Sequence, residues 1–209
     1  NSPLQTGSTF KIMTLAAALQ QGISLDTNYS SAPYQLPGSD VVTNVGGGCG
    51  VCNLREATKQ SLNTSFLRLQ EDLKNGTQDT ADMAHALGVA KSLPGIEKTL
   101  TEKGKQPFEG IVLGQYQSRP LDMATAMSTL ANQGVWHNPH FVQRVENAAG
   151  EVLYEHPEDE GERRVSSNVA NNVIEAMEPV AAWSNGALAG GRVSASKTGT
   201  TQMGDTGNN

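Results

Sequence analysis

Ser8 and Lys11 stand three residues apart in Ser8-Thr9-Phe10-Lys11. On a helix that spacing puts both on one face, so the amine can reach the hydroxyl. A serine hydroxyl is a poor nucleophile until a base takes its proton. Lysine is such a base only when neutral, and burial or a second cation favours that form. Lys197, in Lys197-Thr198-Gly199-Thr200, is the candidate second cation. Ser61 and Asn63, in Ser61-Leu62-Asn63, add a second hydroxyl and an amide. The first turn of a helix also leaves backbone N–H groups free, and one of them can hold a developing oxyanion, as acyl transfer requires. Gly7 before Ser8 and Gly199 before Thr200 are expected to leave room for a substrate backbone.

These three stretches need elements that bring them together. Ser8 to Gln21 reads as a helix buried on most sides, stopped by Gly22. Asp26 to Asn53 is rich in Ser, Pro, Gly and Asn and reads as a long ordered loop. Leu54 to Leu73 reads as helix, broken near Ser61-Leu62-Asn63 because Ser and Asn compete for backbone hydrogen bonds. Asp79 to Leu87 is a short helix, Gly95 to Glu109 a polar connection, and Pro120 to Asn132 a helix closed by Gly134. Phe141 to Glu146 and Glu151 to Glu155 form a hairpin about Asn147-Ala148-Ala149-Gly150. Glu158 to Arg164 is a charge run expected as a solvated loop, and Ser166 to Ala182 a helix. Arg192 to Thr198 alternates and reads as a strand, which must find a partner for its backbone groups. The class is mixed, with many helices, a few strands and long loops.

With 209 residues, 37% of them hydrophobic, the chain can bury a sizeable core. Its 15 Lys and Arg against 21 Asp and Glu exclude a dedicated nucleic-acid binder, which needs a basic surplus. The longest apolar run, Met13 to Leu19 with Thr14 inside it, falls short of the ~20 residues of a membrane span. The chain has no initial Met and no signal-peptide pattern, so both ends are expected to be incomplete. Cys49 and Cys52 leave three readings open: a small disulfide, a redox dithiol or two unlinked thiols. Two cysteines without a nearby His cannot build a zinc site, and Pro139 prevents His137 and His140 from sharing a helical face, so no metal is expected. Trp136 and Trp183 are expected in the core or lining a groove, and Met123 and Met127 as core filler. Structural readings of the motif residues exist too: Ser8 as a helix cap, Ser61 to Asn63 as an ordinary break, and Lys197 as a surface lysine. Each tripeptide alone is weak. Three in this order, each at the expected kind of element, are specific.

The motifs carry a resemblance. Gln5-Thr6-Gly7-Ser8-Thr9-Phe10-Lys11 resembles the active-serine helix of the penicillin-binding protein transpeptidases, with Thr6 where that family usually has Pro. Ala57 to Phe66 resembles the second motif of the class A, bifunctional members. Leu113-Gly114-Gln115, Pro120 to Ala124 and Leu130 to Gly134 are similar to the helix that follows in that family. Arg144 to Tyr154 is similar to its hairpin, and Ser196 to Gln202 to its third motif. The resemblance therefore spans nearly the whole chain. It implies the α/β (α+β) fold of the serine β-lactamase/D,D-peptidase superfamily: a helical subdomain plus an antiparallel sheet covered by helices. Residues 1–209 would then be a partial transpeptidase domain.

The resemblance implies a role for each motif residue. Ser8 would attack the penultimate D-Ala carbonyl of a peptidoglycan stem peptide ending in D-Ala-D-Ala, with Lys11 as base. Ser61 would relay a proton to the leaving D-Ala, while Asn63 would hold the substrate amide and orient Lys11. Lys197 would supply positive potential, and Thr198 and Thr200 would bind the terminal carboxylate beside Gly199. The N–H groups of Ser8 and Thr200 would form the oxyanion hole, and β-lactam antibiotics would acylate Ser8. No cofactor is implied. The remainder of the protein would include flanking strands, a glycosyltransferase domain and a membrane anchor at the extracytoplasmic face of a bacterial cytoplasmic membrane, and this segment alone would be poorly folded or poorly active. The chain has no Glu-x-x-Leu-Asn, the motif class A β-lactamases use in deacylation, which favours a transpeptidase. A D,D-carboxypeptidase, a non-catalytic β-lactam sensor and a thiol oxidoreductase at Cys49 and Cys52 are the alternatives.

Overall fold

After Lys11, nine uncharged residues run to Gln20, and they form the centre of the molecule. A computed structural model describes residues 2–201. A 3-10 turn over Gly7–Phe10 leads directly into α1 (Lys11–Gln20). Ile12, Met13, Leu15, Ala16 and Ala18 are all fully buried, so α1 has no solvent face for most of its length. A helix apolar all round must be covered on all sides. The cover comes from α3 (Asn63–Glu71), α4 (Thr77–Leu87) and α6 (Ser167–Trp183), while α2 (Leu54–Lys59) and α5 (Pro120–Ala131) pack on α6.

Local chemistry sets the helix ends. Asn53 caps α2 by accepting from the Glu56 N–H at 3.0 Å, and Ser166 caps α6 by accepting from the Val169 N–H at 3.2 Å. Pro120 opens α5, and the Asp122 carboxylate accepts from the Arg119 backbone N–H at 3.0 Å and from its guanidinium. The expected break between Leu54 and Leu73 falls between α2 and α3. There Ser61 adopts φ 58°, the left-handed region, at a cost of about 1–2 kcal/mol for a non-glycine residue.

The strands are short and all pair antiparallel in twos: β1 (Leu4–Gln5) with β6 (Gln117–Ser118), β2 (Asn28–Ser30) with β5 (Val51–Asn53), β3 (Tyr34–Gln35) with β4 (Val41–Val42), β7 (Val135–Trp136) with β10 (Glu162–Arg163), and β8 (Arg144–Glu146) with β9 (Val152–Glu155). The β8–β9 hairpin lies where the sequence put it. Three other expectations need correction. Asp26 to Asn53 is not one loop, because two ladders run through it, fixed by distant pairs such as Tyr29 with Cys52. Glu158 to Arg164 is not wholly loop, because β10 lies on β7. Arg192 to Thr198 forms no strand: among the described residues it has no ladder partner, and it runs along α6 with the Ser196 N–H donating to the Met177 carbonyl.

A disulfide joins Cys49, just before β5, to Cys52 within it. Trp183 departs from the expected core position, being 57% exposed under the Lys59 ammonium, while Met123 and Met127 pack against the core. His140 stacks on His156, and His137 faces Asp159.

Helix α3 carries one stretch of the candidate site on its first turn and buries its apolar face beneath it. Leu69 has no exposed surface. Leu69→Ala is expected to lower unfolding free energy by about 2–5 kcal/mol, measured by chemical denaturation.

Candidate active site

The 3-10 turn places Ser8 one turn ahead of Lys11, and Lys11 Nζ lies 2.9 Å from Ser8 Oγ. Lys11 is completely buried. Its amine is 2.6 Å from the Ser61 carbonyl oxygen and 2.7 Å from Asn63 Oδ1, with Ser61 Oγ at 3.3 Å. The left-handed backbone at Ser61 turns its carbonyl and its hydroxyl toward the same amine. Lys197 Nζ donates to Ser61 Oγ at 2.7 Å, so one hydroxyl stands between two amines.

No carboxylate pairs with either amine among the described residues. Burial, and then the charge of Lys197, hold Lys11 well below the usual lysine range. Burial pushes Lys197 down to about 8. A neutral Lys11 amine has two N–H groups and one lone pair. The Ser61 carbonyl and Asn63 Oδ1 accept the two N–H groups, which leaves the lone pair to accept from the Ser8 hydroxyl. That arrangement has the geometry a base needs to activate a serine hydroxyl.

Ser8, Ser61, Asn63, Thr198 and Thr200 line one cleft of about 640 Å³. Lys11 lies beneath it, and Lys197 reaches Ser61 from beside it. Gly199 faces the first motif instead. A Cβ there would sit 2.4 Å from Thr9 Oγ1 and 2.6 Å from the Thr6 carbonyl oxygen. Gly7 has φ +58°, and a Cβ on it would sit 2.2 Å from the Thr200 carbonyl oxygen. Both glycines therefore let two stretches of this chain touch, a contact the sequence did not suggest, and Gly7 also lines the cleft. Cys49 and Cys52 are not among the residues lining the cleft. Gln202, at the end of the third motif, lies outside the described residues.

Sequence reasoning missed several parts. Gly114 has φ +74°, and a Cβ on it would meet the backbone of Gly7 at 2.3–2.4 Å. Gln5 joins the first motif to the third: its Nε2 donates to the Gln115 carbonyl at 3.0 Å and its Oε1 accepts from Thr201 Oγ1 at 2.9 Å. The carbonyl of Thr43 accepts from Asn63 Nδ2 at 3.1 Å. Gly114 and Gln5 carried a signal, lying inside Leu113-Gly114-Gln115 and the stretch from Gln5 to Lys11; Thr43 carried none.

Comparison with known proteins gives a consistent result. The family model described as penicillin binding protein transpeptidase domain matches residues 1–209. Penicillin-binding protein 1A of Mycolicibacterium smegmatis is 55% identical over 210 residues, covering 99% of this chain and 27% of that protein. The structure of the penicillin-binding protein PonA1 from Mycobacterium tuberculosis superposes with a TM-score of 0.92 at 53% identity, covering 99% of this chain and 54% of that one. The structure of PonA1 in complex with penicillin V gives a TM-score of 0.91 at 54% identity, covering 98% of this chain and 55% of that one. The chain thus spans about a quarter of its sequence relative and about half of the solved chains.

Gly7→Ala forces a Cβ into the Thr200 carbonyl on a backbone that disfavours it. A misplacement of about 1 Å costs on the order of 100-fold in rate. If the Ser8–Lys11 pair carries a reaction, labelling of Ser8 by a hydroxyl-directed acylating probe is expected to slow by about that factor in this variant, measured by intact-protein mass spectrometry over time.

Proposed function

Given that the chain belongs to the penicillin-binding protein transpeptidase family, we propose that it is the acyl-transfer part of a class A D,D-transpeptidase. It would cross-link peptidoglycan stem peptides at the extracytoplasmic face of a bacterial cytoplasmic membrane. The observation that carries this reading is the buried, unpaired Lys11 amine bonded to Ser8, Ser61 and Asn63.

In this reading Ser8 Oγ attacks the carbonyl of the penultimate D-Ala while its proton passes to Lys11 Nζ. The oxyanion is held by the N–H groups of Ser8 and Thr200. Support for that pair comes from the contact of Thr200 with Gly7, which brings the third motif to the free N–H groups of the first turn. The tetrahedral intermediate collapses, the C–N bond to the terminal D-Ala breaks, and the leaving amine takes a proton. Ser61 Oγ, 3.3 Å from Lys11 Nζ and 2.7 Å from Lys197 Nζ, is the relay. Lys197 with Thr198 and Thr200 receives the terminal carboxylate, because a cation and two hydroxyls complement it at the cleft wall. An amine of a neighbouring stem peptide then attacks the acyl-Ser8 ester and forms the cross-link, and Ser8 regains its proton. β-Lactams enter the same route: the ring amide opens on Ser8, and the nitrogen stays tethered in the acyl-enzyme.

Hydrolysis by water, a D,D-carboxypeptidase outcome, uses the same residues. Release of D-Ala with and without an acceptor amine measures the division. Labelling with a fluorescent penicillin followed by peptide mapping is expected to tag Ser8. The tag disappears in Ser8→Ala and persists in Cys49→Ala; label retained in Ser8→Ala would sink the reading.

The rate also has a definite pH dependence. Lys11 works as the neutral amine, so acylation falls as pH drops through its lowered pKa. Lys197 works as the cation, so acylation falls as pH rises through about 8. The profile is bell-shaped. Lys197→Ala is expected to remove the alkaline limb and move the acid limb upward, since its charge lowers Lys11. An unchanged acid limb in that variant speaks against coupling of the two amines.

A further inference from the structure

Helix α3 begins with a capping deficit. Its cap position is Leu62, which has no side-chain oxygen. The neighbours on either side are engaged elsewhere, since Ser61 and Asn63 both bond Lys11. Leu62 itself is fully buried, so a polar residue there would cost core packing.

The missing acceptor comes from 20 residues upstream. Asn44 Oδ1 accepts from the Thr64 N–H at 3.1 Å. Thr64 is the second residue of α3, a position whose N–H a local cap ordinarily satisfies. The other end of the same amide donates to Thr64 Oγ1 and to the Ser31 carbonyl, each at 2.9 Å. Ser31 is anchored in turn, its N–H donating to the Gly50 carbonyl at 2.8 Å. The residue before, Thr43, accepts from Asn63 Nδ2. Two consecutive loop residues thus hold the first two residues of α3, and Asn63 Oδ1 is aimed at Lys11 Nζ.

The geometry assigns Asn44 as a positioning residue for acylation: a remote helix cap that fixes Asn63 and, through it, the amine that activates Ser8. The assignment rests on the roles proposed above for Ser8 and Lys11. It adds a requirement those roles do not contain, a specific side chain outside all three motifs. Asn44 touches neither Ser8 nor Lys11, so its effect reaches the reaction only through α3.

The test is acylation of the full-length protein by penicillin V, with the rate at saturation separated from the affinity. Wild type comes first: absence of label on Ser8 removes the underlying reading itself. With wild type labelled, Asn44→Ala is expected to lower the saturating rate about tenfold, in line with loss of a helix cap. Affinity stays within about twofold, and rates are normalised to folded protein by near-UV circular dichroism. Asn44→Asp keeps an oxygen for the Thr64 N–H and adds a charge suited to a helix N-terminus, but gives up the donation to the Ser31 carbonyl. Read at its own pH optimum, it is faster than Asn44→Ala and slower than wild type. A wild-type saturating rate in folded Asn44→Ala overturns the assignment, as does an Asp variant as slow as Ala. Should Asn44→Ala not fold, Asn44→Ser, too short to reach Thr64, takes its place with the same expected loss, and a wild-type rate there is equally fatal.

Discussion

The site depends on keeping one lysine amine dry and without a counter-charge. Lys11 sits in the first turn of a helix that carries no other charged residue, and no carboxylate meets it among the described residues. A buried ammonium lacking a carboxylate partner is costly, and the group avoids that cost by losing its proton. Two carbonyl oxygens then fix the direction of the remaining lone pair. Adding a carboxylate beside Lys11 would stabilise the ammonium and remove the base. In the proposed mechanism the core around α1 is therefore part of the chemistry, since it keeps away the water that would restore the usual lysine pKa.

The second constraint is close approach. Gly7, Gly114 and Gly199 let three backbones meet at distances where a Cβ on any one would strike a neighbour. Side-chain bonds alone could bring Lys197 to Ser61, but they would not bring the Thr200 backbone against the turn that carries Ser8. The left-handed Ser61 is a related expense, because a normal helical residue there would continue α2 and turn the carbonyl away from Lys11. Such local strain persists only where the surroundings enforce it.

Much of this was legible in the sequence, and the limits have a physical origin. The three-residue spacing of Ser8 and Lys11, the break at Ser61 to Asn63, and the helices at Pro120 and Ser166 are all local, and local rules found them. The two-residue ladders within Asp26 to Asn53 were invisible, because a strand that short has no period and its partner lies far along the chain. The assignment of Arg192 to Thr198 as a strand failed for the converse reason: alternation describes a side-chain pattern, whereas a strand is made by a neighbour. The glycines beside the motifs were noticed, but their contacts with other stretches of the chain were not, since a single sequence does not reveal which other backbone passes close. Asn44 had no signal at all. It is one polar residue among many in a polar stretch, and its partner is defined only once α3 is in place.

Among the described residues the third motif joins no ladder, and it is held by one backbone bond, side chains and van der Waals fit. The Ser196 N–H reaches α6, Gly199 presses on Thr9, and Thr201 bonds Gln5, 196 residues away in the chain. Closing so long a loop costs little more than closing one of half its length, because the entropy grows only as the logarithm of length. What matters is how many contacts fix the closed state. Here they connect the third motif to the turn carrying Ser8 and to α6, both of which pack on α1 or lead into it. Ser196, next to Lys197, is thus tied to α6, which packs on the helix that carries Lys11.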